Sequence, residues 1–268
     1  KKDDIFISFE RHATSKIRKV EDLENTYTMG FRGEALASIV SVAKVTMITK
    51  TAEDEIGTKV VAEGGEVLEV TEAPCNTGTS IVVNEFFYNT PVRYKFLKQD
   101  FTEFRYIREW VEKTAIANLN ISFKLINEGK MIFSSTGNGK IRDLVYLIFG
   151  KQVQENIIDV DYEEDGIRIT GIVGNTLLAE KTRKNQILFL NKRNIKDKIV
   201  TNAVDQAFNA SVGIGKKGFY IINIEIPATE YDVNVHPTKN EVRFKDEARI
   251  YKVVYSSIKN ALLSKEFL

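Results

Sequence analysis

Residues 28–39, Thr-Met-Gly-Phe-Arg-Gly-Glu-Ala-Leu-Ala-Ser-Ile, place Gly30 and Gly33 directly before a helical pattern. Leu36, Ile39, Val40 and Ala43 recur at spacings of three and four, so one face of that helix is apolar. The two glycines carry no side chain, which lets backbone N–H groups approach a ligand closely. The helix start adds unpaired N–H groups and a partial positive end. Arg32 adds a planar donor fork that suits phosphate. These parts make an anion cradle at a helix N-terminus. On these residues alone, a glycine-rich turn ahead of a core helix is the plainer reading.

The length of 268 residues predicts two domains and a sizeable core. Lys+Arg 38 against Asp+Glu 37 leaves net +1, so any nucleic-acid surface must be a local patch. The single cysteine, Cys75, excludes an internal disulfide and a cysteine metal cluster, which fits a reducing compartment. No apolar run is long enough to span a membrane, and no signal peptide opens the chain. The first residues, Lys1-Lys2-Asp3-Asp4, lack an initiating Met, so a fragment or processed piece is expected.

Ile5–Phe9 reads as the end of a helix, and residues 14–31 as a long polar loop, a candidate lid ahead of the glycine cradle. Strands are expected at Val45–Thr51, Gly57–Glu63 and Glu66–Thr71, and Asn76–Asn84 reads as a turn leading into a strand that Phe86-Phe87-Tyr88 closes. Asn89-Thr90-Pro91 signals a helix start. A long helix over 102–118 should stripe Phe104, Ile107, Val111 and Ala115 along one face, with Trp110 as core. A hairpin turns at Asn127-Glu128-Gly129, and residues 134–139 make the best linker. Beyond it come a helix at Ile141–Phe149, strands at Ile157–Asp161, Ile167–Val173, Gln186–Leu190 and Phe219–Ile226, and a helix at Asp197–Phe208 capped by Asp197. A last pair, Tyr231–Val235 and Glu241–Phe244, precedes a closing helix capped by Asp246. The mixed order argues a second α/β domain.

Thr14, Ser15 and Lys16, the Gly30–Gly33 cradle, and Lys239 after Pro237 could converge on one phosphate. An ammonium 4 Å from a unit negative charge is worth about 4 kcal/mol at an effective dielectric near 20, more than a helix end supplies. Spacing alone favours a solvated lysine at 239. His12 and His236 have no metal-ligand spacing around them, and no nucleophile elbow or Walker loop is present. Basic residues gather at Lys181, Arg183 and Lys184, at Lys192, Arg193, Lys196 and Lys198, and at Lys216-Lys217. Such clusters can track a nucleic-acid backbone, and aromatics for base stacking are scarce among them.

Taken as an ordered set, these segments resemble the MutL family of DNA mismatch-repair ATPases. Residues 11–17, Arg-His-Ala-Thr-Ser-Lys-Ile, and 30–39 resemble its ATP lid and third nucleotide motif. Residues 89–93, Asn-Thr-Pro-Val-Arg, and 232–244, from Asp232 through His236-Pro237-Thr238-Lys239 to Phe244, resemble later signatures. The likeness spans essentially the whole chain. It implies an α/β (α+β) fold: a partial Bergerat-type sandwich over residues 1–136, then a second α/β domain of the ribosomal-protein-S5-like type over 137–268.

By that likeness Thr14, Ser15, Lys16, Gly30, Phe31, Arg32, Gly33, Glu34 and Leu36 line the triphosphate of ATP. Thr79 lies near the adenine, Lys239 reaches the terminal phosphate, and Asn234 shares its loop. Lys198 and Lys196, with neighbouring Arg193 and Lys192, are the DNA-binding positions. The implied cofactors are ATP and Mg2+, with no protein metal site in this chain. The implied partners are DNA, contacted largely without regard to sequence, a MutS-like mismatch-recognition protein, and a second subunit in a homodimer or heterodimer, with no membrane. The implied location is the cytoplasm and nucleoid of a bacterium or a eukaryotic nucleus.

The family's general-base glutamate, magnesium-binding asparagine and adenine-binding aspartate precede the lid, and this sequence does not contain them. A missing base typically costs a factor of roughly 10²–10⁴. The 268-residue polypeptide alone is therefore expected to have a weakened first domain, bind ATP poorly and hydrolyse it negligibly. The competing expectations are a non-catalytic DNA-binding or scaffold module, separable by its salt dependence without nucleotide, and a topoisomerase-type ATPase subunit.

Overall fold

A computed structural model of the chain describes residues 2–9, 33–209, 211–212, 215–232 and 242–264. It divides into two compact units, Lys1–Glu103 and Phe104–Leu268.

In the first unit, helix α1 (Lys2–Phe9) and helix α2 (Ala35–Val40) accompany four antiparallel strands. These are β1 (Lys44–Lys50), β2 (Gly57–Glu63), β3 (Glu66–Ala73) and β4 (Gly78–Asn84), in the order β3-β2-β1-β4. The alternating residues Val45 and Met47 of β1, and Val60 and Ala62 of β2, turn to one face. There they meet Ile5 and Phe9 of α1 and Leu36, Ile39 and Val40 of α2. Strand β4 pairs with β1 along its whole length yet is exposed throughout. The short helix α3 (Pro91–Tyr94) starts at the anticipated proline.

Helix α4 (Asp100–Ala117) matches the expected 102–118 helix and runs from the first unit into the second. Its last turn is buried through Ala115 and Ile116. Trp110 is not core: it is 61 % exposed, and Ile107 is 51 % exposed. The helical period identifies residues that share a face, but it does not supply a neighbour to cover that face.

The second unit is three-layered. Its sheet, β10-β9-β11-β8-β7, comprises β7 (Ile157–Glu164), β8 (Ile167–Gly174), β9 (Gln186–Leu190), β10 (Arg193–Ile195) and β11 (Tyr220–Glu225). Only β9 and β11 pair in parallel among these, which requires a crossover, supplied by helix α7 (Lys198–Phe208). Helix α5 (Ile141–Phe149) and helix α6 (Lys151–Glu155) precede the sheet in the chain, and helix α8 (Glu247–Ser264) follows it. Leu188, Leu190, Ile222 and Ile224 face α7 and α8 on one side. Ile187, Phe189 and Ile221 face α5, the end of α4 and Phe133 on the other. Burial on both faces explains why β9 and β11 read as nearly continuous apolar runs.

Caps set the helix starts as expected. The Asp197 carboxylate accepts the Val200 amide at 2.8 Å, and that of Asp246 accepts the Arg249 amide at 3.0 Å. The expected linker around 134–139 is tied down within the second unit. Ser135 is buried and exchanges bonds with Phe123, and the Gly139 amide donates to the Leu119 carbonyl. Strands β5 (Lys124–Asn127) and β6 (Lys130–Ser134) form the hairpin read from Asn127-Glu128-Gly129. The pair β12 (Tyr231–Asp232) and β13 (Arg243–Phe244) is the described part of the last expected hairpin.

Candidate functional site

The expected phosphate cradle is described from Gly33 onward. Gly33 has φ 64°, a left-handed backbone that a side chain would strain, immediately before α2. Helix α2 begins without a side-chain cap, and the Glu34 carbonyl accepts the Ser38 amide at 2.9 Å. Leu36 is half-buried against Val40, Ala43 and Val45, so it anchors the helix to the sheet. Thr14, Ser15, Lys16, Gly30, Phe31 and Arg32, and likewise Asn234 and Lys239, lie outside the described residues.

Thr79 sits on β4 directly opposite Thr49 of β1. The two hydroxyl oxygens are 2.7 Å apart, and Thr49 also donates to the Gly78 carbonyl at 3.3 Å. Sequence reading singled out Thr79 and missed Thr49. Thirty positions separate the two, and only strand register joins them.

The basic candidates of the second unit collect at one corner. Asn191 and Lys192, both with positive φ, turn β9 into β10 as a two-residue hairpin. The Asn191 side chain holds this turn: its amide donates to the Ile226 carbonyl at 2.8 Å and its oxygen accepts the Ile226 amide at 3.2 Å. The Lys192 amide donates to Asn223 at 2.9 Å. Asn191 and Asn223 were not among the expected residues. An asparagine followed by a basic residue between apolar runs was the available signal, because Asn tolerates the left-handed conformation.

Arg193 then opens the edge strand β10, Lys196 follows it, and Lys198 is the first residue of α7. Lys192, Lys196 and Lys198 are exposed and Arg193 is half-buried. None of the four joins an ion pair among the described residues. Three of the neighbouring cations, Arg183, Lys184 and Lys217, are spoken for. Asp205 holds Arg183 at 3.0 Å and Lys217 at 2.8 Å, and Glu180 holds Lys184 at 3.4 Å. Burial disfavours the Asp205 carboxylate, but the bonds from Arg183 and Lys217 outweigh it and hold its pKa below the ordinary 3.8. Its contribution to stability is present above that value and is lost as pH falls through the lowered one. Burial pushes the capping Asp197 the other way, upward.

The opposite edge of the same sheet is acidic. Strand β7 carries Asp159, Asp161, Glu163 and Glu164, answered by Arg142, Arg168 and Lys252. A net charge of +1 thus conceals two sheet edges of opposite sign.

A family model described as "DNA mismatch repair protein, C-terminal domain" matches residues 145–263. A DNA mismatch repair protein MutL from Caldanaerobacter subterraneus subsp. tengcongensis is 42% identical over 259 residues, covering 97% of this chain. One from Clostridium botulinum is 42% identical over 99% of this chain. The chain belongs to the MutL family. It spans 44% and 40% of those two relatives, less than half of each. MutL relatives therefore carry more sequence than this chain matches.

Solved structures agree on the fold. An N-terminal domain of a DNA repair protein superposes with TM-score 0.77 at 23% identity, covering 99% of this chain and 83% of that one. The Aquifex aeolicus MutL ATPase domain complexed with ADP gives 0.61 at 22%, covering 88% and 80%. The B-subunit of Myxococcus xanthus DNA gyrase gives 0.52 at 16%, so the topoisomerase alternative shares the fold with less likeness in both measures. The α/β class with a partial Bergerat-type sandwich is the one expected. Among the described residues no helix is long and apolar enough to cross a membrane.

Proposed function

We propose that this chain is the ATPase region of a mismatch-repair protein, coupling ATP binding and hydrolysis to engagement of DNA and a partner subunit. The observation that carries this reading is 42% identity to MutL relatives over nearly the whole chain. The local geometry is compatible: a left-handed glycine opens a helix beside a sheet, and two hydroxyls close one end of an apolar face.

In this reading Thr14, Ser15, Lys16, Gly30, Phe31, Arg32, Gly33, Glu34 and Leu36 surround the triphosphate. Thr79 borders the adenine, and Lys239, with Asn234 in its loop, meets the terminal phosphate. Bound ATP supplies a phosphoanhydride bond whose cleavage is mainly a matter of positioning and charge stabilisation. Mg2+ would be held largely by the triphosphate oxygens and waters, as is usual at nucleotide sites. Lys192, Arg193, Lys196 and Lys198 face the DNA backbone. A MutS-like mismatch-recognition protein and a second MutL-type subunit are the protein partners, and the nucleoid or nucleus is the place of work.

Steady-state phosphate release by the full-length protein tests the coupling. Duplex DNA should raise turnover at low salt, and the response should fade as salt weakens DNA binding. Turnover indifferent to DNA at every salt concentration would remove the coupling from this account.

A further inference from the structure

Three rungs of β1 and β4 point to the helix-covered face of the first sheet: Val45 opposite Val83, Met47 opposite Ile81, and Thr49 opposite Thr79. The first two rungs are apolar. The third is a pair of hydroxyls where the alternating pattern calls for further apolar side chains. A Thr–Thr pair alone is an ordinary cross-strand contact. Here it ends an apolar face whose adjacent residue, Ile81, is 48 % exposed. An apolar floor with one polar margin suits a flat heteroaromatic ring.

The hydrogen-bond directions add chemistry. A hydroxyl has one proton. The Gly78 carbonyl lies 3.3 Å from the Thr49 hydroxyl, and either hydroxyl can donate the 2.7 Å contact between Thr49 and Thr79. When Thr49 spends its proton on that carbonyl, Thr79 donates to Thr49 and offers only lone pairs on its open side. We propose that Thr49 is a positioning residue: it holds the Thr79 hydroxyl as a hydrogen-bond acceptor for the exocyclic amino group of adenine, and so favours a 6-amino purine over a 6-oxo purine. This inference rests on the assignment of Thr79 to the base site.

The test measures dissociation constants of the full-length protein for ATP, inosine triphosphate and inorganic tripolyphosphate. Inosine triphosphate replaces the 6-amino group of ATP by a 6-oxo group and carries a proton on N1, and tripolyphosphate reports the phosphate site without a base. Thr49→Val is expected to lower the preference for ATP over inosine triphosphate by about 5- to 10-fold, the worth of one hydrogen bond. Tripolyphosphate binding should be unchanged, and Thr49→Ser should restore the preference. If Thr79→Val lowers the preference and Thr49→Val does not, the inference about Thr49 fails while Thr79 stays in the base site. If neither variant alters it, the assignment of Thr79 fails as well. A Thr49→Val protein that loses tripolyphosphate and ATP equally has a general defect, and that result also overturns the proposal.

Discussion

Gly171→Ala is expected to destabilise the second unit by about 3–5 kcal/mol, enough to unfold many domains of this size at moderate temperature. Gly171 lies in β8, paired with Val160 of β7 on one side and Ile222 of β11 on the other. Its φ of 133° belongs to a region that side chains rarely adopt. A Cβ there would stand 2.1 Å from the Ile221 carbonyl oxygen and 2.9 Å from the Ile222 Cα. Both are backbone atoms of a strand packed on both faces, so no side chain can swing aside. Relief requires β8 and β11 to part. Gly129→Ala is the matched control: φ is 75°, and its Cβ would meet no atom within 4 Å. It should cost only the backbone strain, about 1 kcal/mol. Denaturant unfolding of the two variants measures the difference, and equal midpoints would mean that β8 and β11 are not packed this closely.

The second large effect concerns DNA. Four phosphate contacts from Lys192, Arg193, Lys196 and Lys198 would give a log–log salt slope of about −3.6, at about −0.9 per contact. Affinity should then fall roughly 100-fold between 50 and 200 mM salt. Replacing Lys192, Lys196 and Lys198 together by Ala should leave a slope near −1 and weaken binding alike on duplexes of unrelated sequence. Arg168→Ala, on the acidic side and paired with Asp161 at 3.1 Å, should leave the slope unchanged. Filter binding across a salt series reads both. A triple variant with the parental slope would move the DNA surface elsewhere.

Much of the fold was legible because its signals are local. Asp197 and Asp246 announced helix starts because their carboxylates bond amides three residues on, and no distant neighbour is needed. The turn at Glu128-Gly129 was legible for the same reason. Helix α6 was missed because Gly150 reads as a stop. It does end α5, and it also stands at the N-cap of the helix that follows. Strand β10, with three residues, is too short to show a period. Trp110 was misplaced because a stripe does not reveal whether anything covers it.

The site divides along the same line. The glycines, hydroxyls and lysines proposed to bind phosphate form contiguous motifs, since backbone approach and charge dictate the residue types. Thr49 carries no motif, and its meaning comes only from facing Thr79 across β1 and β4. The division of labour among cations was also hidden. Arg183 and Lys198 look alike in the chain, but Asp205 neutralises the first, and no described carboxylate is paired with the second.

The account stands on remote segments of the chain meeting around one triphosphate, and Lys239 is the most remote of them. ATP turnover by the full-length protein carrying Lys239→Ala measures this most directly. An ammonium aimed at charge developing on the terminal phosphate is worth roughly 10²–10³ in kcat, with KM for ATP moving far less. A fall of that size is the predicted result. A kcat within about twofold of the parent, on a scale where one electrostatic donor is worth 10²–10³, would contradict it.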